Sequence, residues 1–486
     1  MKRLATSVDR FLRDEAGALL VFWGVSFVML LGIVALSFDL GRLGITRSDL
    51  QSFADSVALA AAGELDGNDD AITRATAAAA NLISDRQTFG NGDRLLQGAD
   101  DYTLTFLSTL PASDTAAATA TTTDPRRAVY ARVKVNDTTV SGTFAAAFAA
   151  LTGGTGMNEL ATATAIAGFT QYACDVTPLM FCLPGPEFKA DDNVGKMIRL
   201  RAGGNGAAWG PGDFGFLDPA KIEVDGDGPC KGLNGVKLDA CLLGAIGSIT
   251  QCFDMRGVDM EPGQKSGIED AIFNTRFDIY QSIMNGEKNN PDYAPAPNVI
   301  KGVVPKGKGG SCISNNGQAS PDTMALPRDT NLCDDCDDRI GNGNWTAARA
   351  DYVNINHGGA DPDSNAKTRY ALYRAEIQAH GGAGSSTSIL SDKAETGRPM
   401  CSNNQSADPD RRVIVAAGID CAANSIKGAT TNVPVKEFFK IFLTEPVGTY
   451  NSKLQIYGEI VGSAGGSGAG VGATGGIFRD VVQLYR

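Results

Sequence analysis

Two cysteines, Cys333 and Cys336, enclose two aspartates in the stretch CDDC. The C-x-x-C spacing is typical of thiol–disulfide oxidoreductases and of zinc sites. A redox pair of the thioredoxin type begins a helix that follows a strand, and the preceding RDTNL does not have the pattern of a strand. A zinc ribbon needs a second pair nearby, which the sequence lacks, and His357 is a candidate third ligand with no fourth partner. We therefore predict structural disulfides in which Cys333 and Cys336 each bond to a cysteine elsewhere in the chain.

Acidic stretches offer hard oxygen ligands of the kind that Ca²⁺ prefers. They are EVDGDG at 223–228, CDDCDDRIGNGN at 333–344 and DPDSN at 361–365. An EF-hand loop that starts at Asp361 requires Gly at its sixth position and Glu at its twelfth, where the sequence has Ala366 and Leu372. The pattern favours solvated acidic loops, and we predict no metal ligand and no cofactor. A Ca²⁺ site of another type stays open as an alternative.

Motifs for nucleotide binding and for nucleophilic catalysis are weak. The stretch GAGVGA at 468–473 fits a loose dinucleotide fingerprint, but only 13 residues follow it, too few for the helix and strand that this site needs. We predict a flexible hairpin loop over residues 462–476 instead. A Ser-His-Asp triad would have to use His357 or His380, the two histidines of the chain. We predict no catalytic residue and expect a protein that is not an enzyme.

The ten cysteines all lie far beyond the N-terminal apolar block. They are Cys174, Cys182, Cys230, Cys241, Cys252, Cys312, Cys333, Cys336, Cys401 and Cys421. An even number at wide spacing, downstream of an apolar segment, indicates disulfides formed in an oxidising compartment. The formal net charge of −12 disfavours a nucleic-acid partner, because phosphate binding requires a basic surface.

Residues 16–38 form an uncharged apolar run near the N-terminus. At 1.5 Å per residue its 23 positions span about 34 Å, enough to cross a hydrocarbon core of about 30 Å. The run is longer than the core of a cleaved signal peptide, and no small-residue cleavage site follows it. We therefore predict an uncleaved signal anchor, a single transmembrane helix in the lipid bilayer.

Flanking charge predicts the orientation of this helix. Basic residues before the run are Lys2, Arg3, Arg10 and Arg13, and those directly after it are Arg42 and Arg47. The excess on the short N-terminal side favours a cytoplasmic N-terminus. The bulk of the chain then lies on the far side of the membrane, where cysteines become oxidised.

The helix is expected to continue past the membrane to about Leu65, where Gly67 supplies a stop. Beyond the run, one helical face carries Leu43, Leu50, Ala54, Val57 and Ala61. Such an apolar stripe must pack on its own domain or on a partner.

Within the run, Gly17, Gly24 and Gly32 share one helical face, which would let another membrane helix approach closely. The alternative, that glycine is merely frequent in membrane helices, stays open. We expect Asp39, at the outer edge, to be solvated at the level of the lipid headgroups.

The N-terminal sixty residues resemble the N-terminal domain of TadG-like proteins of Flp (tight-adherence) pilus assembly. The resemblance rests on Asp14 and Gly17, the apolar run, Asp39-x-Gly41-Arg42, Leu50-Gln51 and Ala54-Asp55-Ser56-x-Ala58-Leu59-Ala60. A weaker similarity to longer TadG-like chains continues in WGPGDFGFLD (209–218), GNGNW (341–345), NHGG (356–359), TRYALYRAEI (368–377) and the C-terminal strands. The resemblance implies a protein anchored in the inner membrane that serves pilus assembly in the periplasm.

Two departures from related families limit what the resemblance implies. Some TadG-like proteins carry a von Willebrand factor A domain with a D-x-S-x-S metal motif, which this sequence lacks. Pilins and the TadE and TadF pseudopilins are cut before a segment with Glu at its fifth position. Glu15 would occupy that place after a cut at Arg10, where such proteins usually have Gly. We predict no processing and keep Glu15 as a possible pilin-type signal.

The pattern of the whole chain predicts an α+β protein. We expect a cytoplasmic N-terminus (1–15), a transmembrane helix (16–38), a pilin-like domain with a long helix on a small antiparallel sheet (39–170) and a Cys-rich α+β domain (171–486). Predicted helices cover 70–84, 141–153 with Ser141 as cap, 268–284 and 368–381. Predicted strands cover 101–110, 126–135, 158–169, 411–419, 433–447, 453–461 and 479–486.

These features together predict a membrane-anchored periplasmic component of a Tad pilus system that acts through protein contacts. Its expected partners are the bilayer and other pilus-assembly proteins, namely pseudopilins or the inner-membrane platform. The alternative is a membrane-tethered metal-binding adhesin or enzyme that uses the acidic loops or the CDDC pair.

Overall fold

A helix of 48 residues, α1 (Glu15–Ala62), opens the described part of the chain in this computed structural model. The structure describes residues 15–81, 83–87, 94–113, 116–152, 158–174, 176–204, 206–218, 229–246, 252–255, 257–261, 269–307, 312–314, 316–464 and 478–485. The chain divides into two units, Met1–Thr170 with Asp480–Arg486, and Gln171–Arg479.

Helices and strands alternate irregularly along the chain. The further helices are α2 (Ala71–Asn81), α3 (Thr143–Thr152), α4 (Gly235–Gly244), α5 (Glu269–Asn274), α6 (Thr346–His357) and α7 (Arg369–Ala379). The strands up to the middle of the chain are β1 (Ser84–Gln87), β2 (Arg94–Gln97), β3 (Tyr102–Leu107), β4 (Tyr130–Val135), β5 (Thr138–Ser141), β6 (Asn158–Ala161), β7 (Thr164–Cys174), β8 (Leu179–Cys182), β9 (Met197–Ala202) and β10 (Asp213–Leu217). The later strands are β11 (Cys252–Asp254), β12 (Val258–Glu261), β13 (Val303–Pro305), β14 (Gly317–Ala319), β15 (Val413–Ile419), β16 (Thr430–Val433), β17 (Glu437–Leu443), β18 (Gly448–Tyr450), β19 (Lys453–Ser463) and β20 (Phe478–Leu484).

The first unit packs the outer half of α1 against an antiparallel sheet. Strand β4 lies between β3 and β7, with Tyr102 opposite Val135 and Tyr130 opposite Gly168, and β20 pairs with β7. Alternation in β4 turns Ala131, Val133 and Val135 toward the buried face of α1. The short hairpins β1–β2 and β5–β6 complete the described strands of this unit.

The second unit contains a mixed sheet of nine described strands that closes on itself. Around the ring, β10 pairs with β8, β8 with β15, β15 with β17, β17 with β19, β19 with β9 and β9 with β10. Two of these pairs, β8–β15 and β9–β10, are parallel and the other four are antiparallel. These six strands have no free edge within the ring, whereas β12 with β16 extends from β10 and β18 extends from β19.

Alternate residues of these strands enter two separate apolar clusters, as the two-residue period of a strand requires. Phe181 and Phe439 belong to one cluster, and their rings meet edge-on with centroids 5.0 Å apart. Met180 and Phe438, their chain neighbours, belong to the other cluster together with Trp209. The chain thus combines helices with predominantly antiparallel sheets, as the α+β class requires.

All ten cysteines are paired in five disulfides. The pairs are Cys174–Cys252, Cys182–Cys421, Cys230–Cys241, Cys312–Cys401 and Cys333–Cys336. The prediction that Cys333 and Cys336 each bond elsewhere is therefore wrong, because these two cysteines bond to each other. Nothing in the spacing alone distinguishes a local pair from two long-range ones.

The long helix predicted over 268–284 is wrong in its second half. Helix α5 ends at Asn274, and Asp278 takes a left-handed conformation with φ of 62°. The Asp278 carboxylate accepts hydrogen bonds from the backbone N–H groups of Met400, Cys401 and Ser402, at 2.6–2.8 Å. These contacts fix Asp278 outside the helix, which overrides the local periodicity.

The C-terminal strand also differs from its predicted place. Residues 480–486 were expected in the second domain, but they belong to the first unit, in which Tyr485 N–H donates to the carbonyl of Ile166 on β7. Pairing with a strand more than 300 positions earlier leaves no local signal in the sequence.

Candidate functional site: the apolar helix and its junction

The inner half of α1 exposes large apolar side chains on every face. Exposed residues include Leu20, Trp23, Phe27, Leu31 and Phe38. Among the described residues α1 is the helix long and apolar enough to cross a membrane, and its most apolar window has no buried part. An apolar surface of this size is unfavourable in water and matches the hydrocarbon of a bilayer. The helix fits a single-pass membrane anchor.

The glycines of this segment leave room for a neighbour. A methyl group built at Gly24 or Gly32 would meet nothing within 4 Å. The surroundings of Gly17 and of the Glu15 side chain lie outside the described residues, as do those of Lys2, Arg3, Arg10 and Arg13. A packing role for the glycine face stays a prediction.

Asp39 lies between the apolar half and the packed half of α1 and connects this helix to α3. Its side chain is buried, with 2% exposure, and its Oδ1 accepts hydrogen bonds from the backbone N–H groups of Thr143 (2.9 Å) and Phe144 (3.3 Å). Its Oδ2 accepts from the N–H of Ala145 at 2.8 Å. The carboxylate therefore satisfies three of the free donors that begin α3 and complements the positive end of that helix.

Two expectations about this junction are wrong. Asp39 is not solvated at headgroup level, because three backbone donors replace water around its carboxylate. Ser141 does not cap α3, because it is the last residue of β5. A carboxylate that caps a helix about a hundred residues away cannot be found from the local pattern that identifies Ser as a cap.

Neighbouring residues tighten the junction. Arg42 Nη1 donates to the backbone carbonyl of Ser141 at 3.4 Å and also to the hydroxyl of Thr143. A methyl group built at Gly142 would lie 3.0 Å from Asp39 Oδ2 and 3.0 Å from the Cβ of Ala145. The chain thus approaches α1 closely where Gly142 provides the space.

The outer half of α1 buries the predicted stripe. Leu43, Leu50, Ala54, Val57 and Ala61 are all buried in the apolar cluster of the first unit. Small residues on the stripe let α1 lie close to the sheet, and Phe53 fills the space beside Tyr102, with ring centroids 6.1 Å apart. The same helix is therefore exposed and apolar at one end and packed along one face at the other.

Hydrogen bonds from two arginines and a tyrosine hold the Cys333–Cys336 loop, which does not begin a helix. The Arg199 guanidinium donates to the backbone carbonyls of Cys333, Asp334 and Cys336. The carboxylate of Asp334 accepts from Arg328 Nη1 and from Tyr457 Oη, both at 2.9 Å. These bonds explain why the loop is ordered without a strand–helix frame.

The acidic stretch at 361–365 forms an ion pair. Arg349 Nη1 and Nη2 contact the two carboxylate oxygens of Asp361 at 2.7 and 3.0 Å. The bidentate bond to Arg349 lowers the pKa of Asp361 below its ordinary value. Across the described ranges no group of three or more His, Cys, Asp or Glu side chains is arranged to hold a metal ion. The stretch 223–228 and the GAGVGA motif lie outside those ranges.

Sequence reasoning missed a buried polar cluster between α6 and α7. Glu376 Oε1 accepts from Tyr352 Oη at 2.7 Å and lies 2.8 Å from His357 Nε2, and Glu376 Oε2 accepts from Asn298 Nδ2 at 2.6 Å. Burial raises the pKa of the Tyr352 hydroxyl well above its ordinary range, and the nearby carboxylate raises it further. His357 is thus part of a closed hydrogen-bond network that holds two helices together. The spacing of Tyr352 and His357 on one helix gives only a weak signal, because Glu376 comes from another helix.

One family model matches the chain, the model of putative Flp pilus-assembly TadE/G-like proteins, and the match covers residues 17–64. No curated protein and no solved structure matches the chain. The matched residues begin in the exposed apolar half of α1, include Asp39, and end two residues after α1 itself. The N-terminal region of this chain therefore matches the TadE/G-like Flp pilus-assembly family that its residues resemble.

Proposed function

We propose that this protein is a membrane-anchored periplasmic component of a Tad (Flp) pilus-assembly system and that it acts through protein contacts rather than catalysis. The observation that supports this function is α1. In the region that matches the family, one continuous helix is exposed and apolar at its start and buried in a folded unit at its end. A protein built in this way holds its folded part at a membrane surface.

The inner membrane and a cytoplasmic N-terminus are parts of the same proposal. Four basic residues precede the apolar run and favour the cytoplasm for the N-terminus. Five disulfides lie beyond the run, and disulfides form in the periplasm rather than in the cytoplasm. Charge and redox chemistry therefore support the same orientation.

For the partners, we propose pseudopilins or the inner-membrane platform of the assembly system. Gly24 and Gly32 support this proposal, because the space beside them accepts the backbone of a second helix. Helix contacts of this kind gain dispersion energy from close approach, which a large side chain at the same position prevents.

Deletion of the gene tests the function. We expect loss of piliation and of surface adhesion, with recovery when the wild-type gene is supplied. Normal piliation and adhesion in the deletion strain would contradict the proposal.

Two complementing variants sharpen the test. Gly24→Ile adds bulk to the glycine face, whereas the matched control Ser26→Ile adds bulk about 200° around the same helix turn. We expect Gly24→Ile to reduce piliation and cross-linking to a membrane partner, and Ser26→Ile to behave as wild type at equal protein level. Equal effects of the two variants would contradict a specific glycine contact.

A further inference from the structure

The ring of Phe144 lies beside the end of the apolar segment of α1. The ring centroids of Phe38 and Phe144 are 5.9 Å apart, and the two side chains are 61% and 47% exposed. We name these two residues the Phe38–Phe144 patch. Phe38 is the last residue of the uncharged run, so the patch lies at the level where the sequence ends its apolar segment.

Asp39 does not fix the water boundary at this level. An ionised carboxylate marks the edge of a membrane when it needs water, but the Asp39 carboxylate is buried and bonded to three backbone N–H groups of α3. Exposed apolar side chains continue beyond it, at Leu40 and Ile45. From residue 16 to Arg42, α1 rises about 39 Å, comparable with the 40–45 Å of a bilayer that includes its headgroup regions.

The composition of helix α3 is compatible with a position at the membrane interface. Its sequence TFAAAFAALT contains no charged residue. Its first N–H groups are satisfied by Asp39 rather than by water, so the start of the helix carries no unsatisfied donors into a less polar medium. Phenylalanine is among the side chains that helices lying in the membrane interface bury at the boundary between headgroups and acyl chains.

From these observations we propose that the Phe38–Phe144 patch is a second membrane contact, with Phe144 inserted into the interface between headgroups and acyl chains on the side of the folded units. The partner is the lipid bilayer. The inference rests on the proposed membrane anchoring and goes beyond it, because it places the start of α3, and not only α1, in the membrane interface. The first unit is then held at the surface by two chain segments about a hundred residues apart.

Lipid-dependent quenching of tryptophan fluorescence tests this contact in the full-length protein reconstituted into phosphatidylcholine liposomes. Phe144→Trp is introduced in a Trp23→Phe background, in which the remaining Trp209 and Trp345 are buried. The matched control is Leu95→Trp, at a residue of the same unit that is 51% exposed and lies on β2. Liposomes contain either ordinary phospholipid or phospholipid brominated at the headgroup end of the acyl chain.

We expect the emission that Phe144→Trp adds over the Trp23→Phe parent to fall about twofold in brominated liposomes and the emission that Leu95→Trp adds to stay unchanged, since an interfacial ring contacts the acyl ends. Equal signals in both lipids for Phe144→Trp, in protein that floats with the liposomes, would overturn the inference and leave the anchoring intact. Protein that does not float would overturn the anchoring and the inference together. A blue shift of Phe144→Trp that depends on protein density and not on the lipid would identify a second copy as the occupant, and would also overturn the inference.

Removing the Phe144 ring gives an independent readout. Phe144→Ser should leave flotation unchanged, because α1 alone anchors the chain, but should raise protease cleavage near the start of α3 in liposomes. Phe144→Leu retains an apolar side chain and should restore protection. Equal cleavage of Phe144→Ser and wild type would contradict the contact.

Discussion

The carboxylate of Asp39 lies 2.9 Å from the backbone nitrogen of Thr143, and this hydrogen bond joins the end of the apolar segment to the first turn of α3. It is one of three bonds through which a residue of α1 caps another helix. The capped helix and the membrane segment are thus held in a fixed relation within the first unit.

Asp39→Ala should destabilise the first unit by about 1–2 kcal/mol, because the backbone donors that begin α3 lose their acceptor. Asp39→Asn retains one oxygen acceptor and should cost less than Ala. Thermal unfolding of the full-length protein in lipid nanodiscs, monitored by proteolysis of the first unit, measures both losses of stability. If Ala and wild type unfold at the same temperature, the cap does not stabilise the junction.

Gly142→Ala should also weaken the junction, by about 1 kcal/mol, since the added methyl group would meet Asp39 Oδ2 at 3.0 Å. The matched control is Gly41→Ala on α1, where a methyl group meets nothing within 4 Å and alanine favours the helix. The same unfolding assay should place Gly41→Ala at or above wild type. A loss at Gly41 as large as at Gly142 would show that the close approach to Asp39 is not the cause.

The five disulfides should differ in what they contribute to stability. The loop-entropy relation gives about 2 kcal/mol for the bond between Cys333 and Cys336, three residues apart, and about 5 kcal/mol for that between Cys182 and Cys421, 239 residues apart. Replacing each pair by serines and measuring urea unfolding of the second unit tests the difference. Equal destabilisation by the two double variants would contradict the ranking.

Limited reduction followed by alkylation and mass spectrometry should label Cys333 first, because it is exposed whereas Cys182 and Cys421 are buried.

Two arginines of α7 should differ sharply on replacement by methionine. Arg369 is fully buried between Asp329, at 2.6 Å, and Glu459, at 3.1 Å. Arg369→Met leaves two buried carboxylates without their cation and should cost about 3–5 kcal/mol. Arg374 pairs with Asp410 near the surface, and Arg374→Met should cost less than about 1 kcal/mol. Urea unfolding of the second unit measures the stability of both variants. Similar losses would contradict the difference between the buried ion pairs of Arg369 and the surface pair of Arg374.

The ion pair of Asp361 with Arg349 should make a pH-dependent contribution. Because Arg349 lowers the pKa of Asp361 in the folded state, the stabilisation is present above the ordinary value of 3.8 and is lost as pH falls through the lower folded value. Asp361→Asn should therefore lower the free energy of unfolding by about 0.5–1 kcal/mol at neutral pH and by a vanishing amount in strong acid. Asp351→Asn, at an exposed residue of α6, controls for the change in net charge. A difference between wild type and Asp361→Asn that stays constant into strong acid would contradict the pKa shift.

Sequence patterns predicted the parts of the fold that depend on local periodicity. The apolar stripe of α1 from Leu43 to Ala61, strands β3 and β4, and helix α7 all follow from spacings within one segment. Features that depend on distant residues were missed. Asp39 meets α3 and Asp278 meets residues 400–402 only after folding, and neither partner lies within reach of a local pattern.

The candidate site also combines features that a local pattern predicts with features that depend on distant residues. The apolar run and the family resemblance are properties of consecutive residues, and the family match covers that region. The Phe38–Phe144 contact and the Glu376 network depend on side chains brought together from separate elements. The number and spacing of the cysteines predicted disulfides but not the pairing of Cys333 with Cys336, whose turn contacts the distant Arg199.

The most direct test of the account is the topology of the full-length protein with an N-terminal epitope tag, measured in spheroplasts by alkaline extraction and added protease. We predict that the protein stays with the membrane at alkaline pH, that external protease digests both folded units, and that the tag with α1 remains protected at its unprocessed length. Release at alkaline pH, protection of the folded units or digestion of the tag would contradict a single crossing by α1 with the folded units in the periplasm.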